Sequence, residues 1–232
     1  MTDPQIATQP TTQTTAPQHT TDVFVDFLCP YAWRGVELAA VLRAGGEAFT
    51  LRHYSLVEGN HEGNAKELTW RVTDQSLDAP DGDGYMKYLK PSLRAFLASH
   101  AAALQGEATH WAFTLALFRA HHERKEPLTD ETIHAAAQEA GLDLNAFAQA
   151  LADEATRRAE LRAELDAARE VGVFGTPTYV LPTGEAAYYR FETLTREPAQ
   201  AREWWNLYRA VLTSDAGIGT IKRARNRPAR RP

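Results

Sequence analysis

The sequence reads as an α/β chain with a βαβ opening, a large all-helical insertion, and a late β-hairpin closed by one more helix. Three observations predict this. A short apolar run, Val23-Phe24-Val25-Asp26-Phe27-Leu28, leads directly into Pro30 and a helix-forming stretch. From about Ala65 to Val171 the composition shifts to Ala, Leu, Glu, Arg and Gln, strong helix formers, and strand signals disappear. After Gly175, β-branched and aromatic residues return on both sides of a Pro182-Thr183-Gly184 turn.

Each element has a local cause. Residues 1–21 carry repeated Thr and Gln with Pro4, Pro10 and Pro17, too little apolar surface to offset the entropy of ordering, and read as a disordered leader. Asp22 to Leu28 is almost continuously apolar, as in a strand buried on both faces. Pro30 opens a helix because its missing N–H has no intrahelical partner at the first position. That helix runs to Gly45-Gly46, and a strand follows at about Ala48 to Leu56. Strand, helix, strand predicts a right-handed parallel crossover.

Within the helical block, Asp78 to Gly84 and Lys125 to Leu128 are breaks, Thr129 is a helix cap, and Gly141-Leu142-Asp143 is a turn. Thr178 to Leu181 and Glu185 to Phe191 form the hairpin, and Pro198 to Leu212 the closing helix. The organisation expected is therefore an α/β domain from residues 22–64 and 172–214, a helical insertion at 65–171 and a basic tail at 215–232.

A chain of 232 residues with 44% hydrophobic and 24% charged residues is long enough to bury a substantial core. Its net charge of -5 provides no global basic field for nucleic acid. The tail from Ile221 to Pro232 has six basic residues in twelve, which reads as a solvated end and not as a nucleic-acid or membrane contact. No run approaches the roughly 18 apolar residues of a membrane span, and residues 1–20 lack the apolar core of an export signal. One cysteine makes no internal disulfide and no multi-cysteine zinc site, so a cytoplasmic location is expected. His121 and His122 are adjacent and point about 100° apart on a helix, so no metal site is expected from them.

That single cysteine, Cys29, sits where the first strand turns into the first helix. The thiolate is the reactive form of cysteine, and a helix N-terminus is a place where a protein can favour it. Cys29 is accordingly the candidate nucleophile, expected to be exposed at the helix N-terminus. Asp26, on an otherwise apolar strand, is either a carboxylate that exchanges a proton as the thiol titrates or one held by backbone hydrogen bonds. Arg34 is either solvated or adds positive potential near Cys29.

Cys29-Pro30-Tyr31-Ala32 at a strand-to-helix turn, with Val173-Phe174-Gly175-Thr176-Pro177-Thr178 before a late hairpin, resembles the DsbA family of the thioredoxin superfamily. Its cytoplasmic FrnE-type branch is the most similar. The resemblance spans about Asp22 to Leu212 and implies a thioredoxin-like fold. It also implies a cis bond between Thr176 and Pro177 beside the active cysteine, with the Thr176 backbone pairing to an extended substrate. Tyr31 lies in the dipeptide that tunes the thiol, and Trp33 and Arg34 complete the first helical turn. The family motif is Cys-Pro-x-Cys, and here the fourth position is Ala32, so the resolving thiol is missing.

A thiolate without that partner can still attack a disulfide, leaving a mixed disulfide for another thiol to resolve. The expected activity is a monothiol thiol-disulfide oxidoreductase with Cys29 as nucleophile. No bound cofactor is expected; a low-molecular-weight thiol is the co-substrate, and a disulfide-containing protein or small-thiol disulfide is the partner. Two alternatives stay open: a catalytically degenerate peptide-binding module, and an enzyme like the kappa-class glutathione transferases or hydroxychromene-carboxylate isomerases, which carry serine at the cysteine position. The sequence does not specify the oligomeric state.

Overall fold

The computed structural model describes residues 20–79 and 82–221, with residue 85 described by its backbone alone. The expectation of a disordered leader falls mostly on residues 1–19, and that of a solvated basic tail mostly on residues 222–232; both lie outside the described residues.

The sheet has four strands in the order β2-β1-β3-β4, formed by β1 (Thr21–Val25), β2 (Phe49–His53), β3 (Thr178–Val180) and β4 (Ala186–Tyr188). β1 pairs parallel to β2, with Val23 opposite Leu51. It pairs antiparallel to β3, with Val23 opposite Tyr179, and β3 pairs antiparallel to β4. Helix α1 (Pro30–Ala44) makes the crossover, so the βαβ opening and the thioredoxin-like arrangement are as expected. The hairpin strands are shorter than their apolar runs because Leu181 and Glu185 already close the turn, Leu181 N–H donating to Glu185 O at 2.8 Å.

β2 also stops early, at His53, and a single-turn helix α2 (Leu56–Gly59) begins. Ser55 accepts a hydrogen bond from Glu58 N at 3.1 Å. Ser55-Leu56-Val57-Glu58 therefore has the Ser-x-x-Glu spacing of a helix start, a signal that overrides the apolar continuation of the strand.

The helical block begins later than composition suggests. Residues 65–79 and 82–88 contain no α-helix, and Asn64 organises the first of these loops by accepting from Thr69 N and Trp70 N and donating to Glu58 O and Trp70 O. Helices α3 (Leu89–Ala103), α4 (Glu107–His122), α5 (Asp130–Glu139), α6 (Leu144–Ala152) and α7 (Glu154–Val171) follow. Thr129 caps α5 and Asp143 caps α6, while Gly172 ends α7 at φ 82°, where only glycine sits without strain. The chain closes with α8 (Pro198–Leu212).

One apolar core runs from the sheet into the helices. Val23, Val25, Phe49 and Tyr179 pack with Leu38, Trp205 and Tyr208 in the same cluster as Phe96, Phe113, Phe118 and Leu161 of the helical block. Phe24, on the opposite face of β1, packs with Ala168 and Val173. Among the described residues no helix is long and apolar enough to cross a membrane.

Candidate functional site

Cys29 is the N-cap of α1, with Pro30 in the first turn behind it and extended backbone at φ -90°. Its N–H donates to Asp26 O at 2.9 Å and its carbonyl accepts from Trp33 N at 3.1 Å, so the turn is tied at both ends. Its Sγ donates to the backbone O of Thr176 at 3.3 Å. The Thr176–Pro177 bond is cis. Strand-to-helix turn and Thr-Pro segment thus meet at the sulfur, although 147 positions separate them.

The expected exposure of Cys29 is corrected: the residue is 7% exposed. Its cover comes from Thr176, itself 1% exposed, a contact between distant segments that local patterning does not reveal. Ala32 is fully buried, Pro30 is exposed and Tyr31 is half-buried.

Trp33 turns toward the helical block, where it stacks on His122 at 5.7 Å between ring centres and its Nε1–H donates to Glu37 at 3.4 Å. Arg34 donates to the carbonyl of Phe191 at 3.1 Å and lies 5.3 Å from the centre of the Tyr31 ring. Arg34 is thus held by a backbone carbonyl and an aromatic ring and is not simply solvated.

Three features hold this turn in place. First, Asp26 is fully buried; Oδ1 accepts from Leu28 N at 2.9 Å and Oδ2 from Leu56 N at 2.8 Å. Burial pushes its carboxyl up to about 6, against the opposing pull of those two N–H groups. Of the two sequence readings of Asp26, the carboxyl held by backbone hydrogen bonds is the one these contacts describe.

Second, Glu37 on α1 is 1% exposed and receives Arg119 of α4 at 2.7 and 2.9 Å and Arg196 at 2.6 and 3.0 Å. Burial would raise its carboxyl, but the two guanidinium groups bring it down to about 2. Third, His122 donates from Nε2 to the carbonyl of Phe27 at 2.8 Å. Burial lowers its imidazole to about 4, so it is a neutral donor. His121 instead faces Glu126 O at 2.9 Å, and the two histidines serve different carbonyls.

Gly35 allows α1 to lie against the Thr-Pro segment. A Cβ there would stand 2.7 Å from both Pro177 Cγ and Tyr179 Oη, and Tyr179 donates to Gly35 O at 3.0 Å. The rim of the site includes residues that sequence reading left as hairpin. Arg190 lies 3.9 Å over the Tyr31 ring. The Tyr188 hydroxyl is raised chiefly by burial, with Arg190 opposing and Cys29 and Tyr31 adding to the rise. Phe174, 71% exposed, packs edge-on against Tyr188 at 5.5 Å.

A cavity of about 640 Å³ lies elsewhere, among Thr73, Arg94, Asp130, Ile133 and Arg158, and Cys29 does not line it. The thiol site sets an N-terminal helix cysteine, a residue type suited to thiol-disulfide exchange, against Thr176, with an aromatic and cationic rim from Tyr31, Tyr188 and Arg190.

This arrangement defines a thioredoxin-fold thiol site, and residues 20–197 match the DSBA-like thioredoxin domain. The chain belongs to that family. Among solved structures it is similar to the cytosolic disulfide reductase DsbM from Pseudomonas aeruginosa with GSH, at TM-score 0.53 and 16% identity, covering 82% of this chain and 98% of that one. It is similar to a probable DsbA oxidoreductase from Streptomyces coelicolor at TM-score 0.53 and 20% identity, covering 89% and 94%. A 2-hydroxychromene-2-carboxylate isomerase matches at TM-score 0.53 and 18% identity, covering 87% and 100%. These likenesses are of fold. No curated protein matches the chain in sequence.

Proposed function

We propose that the chain is a monothiol thiol-disulfide oxidoreductase of the FrnE-type branch, with Cys29 as its nucleophile. The observation that carries this reading is the meeting of Cys29 Sγ, at the start of α1, with Thr176 O at a cis Thr-Pro bond. The Cys29 thiolate attacks one sulfur of a disulfide, forms a mixed disulfide and expels the other sulfur as a thiolate. With Ala32 in place of a resolving cysteine, an external low-molecular-weight thiol attacks the mixed disulfide and regenerates Cys29. No other cofactor enters this cycle.

Thr176 offers backbone to an extended substrate, Pro177 fixes that segment against α1, and Tyr31 with Arg190 contacts the incoming thiol compound. Glutathione in the DsbM structure supports a small peptide thiol as co-substrate, and the cytosolic description of that protein supports a cytoplasmic setting. Cys29 itself favours this reading over isomerase-type chemistry, where the resemblance places serine.

The test is incubation with oxidised glutathione followed by intact-mass measurement. The expected result is one glutathionyl adduct, absent in Cys29→Ser and removed by reduced glutathione. An unmodified protein, or an adduct that reduced glutathione does not release, overturns the cycle and leaves a binding module.

A further inference from the structure

Apart from the residues of the thiol site, three elements bring two imidazoles and a carboxylate together. His53 ends β2, His100 lies on α3 and Glu164 on α7. Both imidazoles aim at the same oxygen, with His53 Nδ1 2.5 Å and His100 Nε2 3.2 Å from Glu164 Oε2. One donor atom from each residue lies within 4.8 Å of the other two.

The far nitrogen of each ring also faces a polar group. His53 Nε2 is 2.9 Å from Ser99 Oγ, which is 2.8 Å from His110 Nε2, and His100 Nδ1 is 3.7 Å from Glu160. His100 Nε2 has no hydrogen bond of acceptable geometry, although it is buried and within reach of the carboxylate. His100 Nε2 and Glu164 thus form an ion-pair contact that no well-aligned hydrogen bond closes.

We propose that His53 Nδ1, His100 Nε2 and a Glu164 carboxylate oxygen bind one divalent transition-metal ion of the zinc type. Two imidazoles and one carboxylate are a ligand set suited to zinc, cobalt or nickel, and three protein ligands leave one position for water. Bonds of about 2.0–2.2 Å at tetrahedral angles place ligand atoms roughly 3.3 Å apart, so His53 and Glu164 must spread by under about 1 Å.

The protons can be arranged without loss. His53 turns its remaining N–H to Ser99 Oγ, the Ser99 hydroxyl turns to His110, and the His110 proton sits on Nδ1. This is the outer-shell pattern by which a metal-bound imidazole is oriented. Entry is from the side of His100 and Glu164, whose side chains are 14% and 10% exposed. The ion would tie the sheet to two helices of the helical block.

The experiment is calorimetric titration of chelator-treated, tag-free Cys29→Ser protein with Zn²⁺; the serine removes the competing thiol. One saturable equivalent is expected, lost in His100→Gln and weakened by at least about tenfold in Ser99→Ala, which keeps every ligand but removes the outer-shell hydroxyl. Because those variants can misfold, Co²⁺ is also added to the Cys29→Ser protein and imidazole proton resonances are recorded. Paramagnetic shifts at His53 and His100 are expected. No saturable binding, unchanged binding in His100→Gln, or shifts confined to His121, His122 or His134 overturns the site.

Discussion

Asp26→Asn should reverse part of the pH dependence of stability. The wild-type carboxyl is fully buried and raised from 3.8 to about 6, so between those values the folded state holds a proton that the unfolded chain has released. Stability therefore falls as pH rises through this window, the reverse of an ion-paired carboxylate. At about 1.4 kcal/mol for each tenfold change in proton affinity, the loss is about 3 kcal/mol. Asparagine cannot ionise. It also presents one oxygen where aspartate presents two, so Leu28 N or Leu56 N loses its acceptor at a cost of about 1–3 kcal/mol. That cost does not vary with pH and cancels when the difference between the two proteins is followed. The assay is urea unfolding of both proteins from below pH 3.8 to above about 6. The stability of Asp26→Asn relative to wild type should rise by about 3 kcal/mol across the window. A flat difference, or one that falls with pH, refutes the assignment of a raised carboxyl.

Glu37→Gln removes the shared charge between Arg119 and Arg196 and should cost about 2 kcal/mol near neutral pH, less than a fully buried pair because Arg196 is 42% exposed. Since that carboxyl is lowered from 4.5 to about 2, its contribution is present above 4.5 and lost as pH falls toward 2; thermal melts of the two proteins should converge in acid. Gly35→Ala, facing Pro177 Cγ and Tyr179 Oη at 2.7 Å, should destabilise by about 1–3 kcal/mol despite alanine's better helix propensity and should speed iodoacetamide labelling of Cys29. Ala32→Cys restores Cys-Pro-x-Cys and should create insulin-reducing activity; no gain would mean that the rest of the site no longer supports dithiol turnover.

Much of the fold was legible where a local cause has a sequence signature. Pro30 opens α1, Gly45 ends it, and Pro198 to Leu212 is the last helix as read. The shortened β2 was missed although Ser55 and Glu58 carry the signal, because an apolar run invites extension of a strand. At the site, Cys29 and Thr176-Pro177 were legible as motifs, while the burial of the sulfur was not, since it depends on a contact between distant segments. Asp26 stood out as one carboxylate among apolar neighbours; its hydrogen bond from Leu56 N did not, because β2 has to be in place first. The convergence of His53, His100 and Glu164 has no sequence spacing at all. It is made by tertiary packing of β2 against α3 and α7.

The hydrogen bond from Cys29 Sγ to Thr176 O has a consequence for synthesis of the chain. At roughly 5–20 residues per second, the 147 positions between them take roughly 7–30 s to translate. Throughout that interval the nascent chain carries its single thiol without the segment that will cover it. Oxidants and electrophiles in the surroundings therefore meet this sulfur most freely before the protein is finished, and the fraction of molecules released with an intact Cys29 depends on how fast the ribosome reaches Thr176.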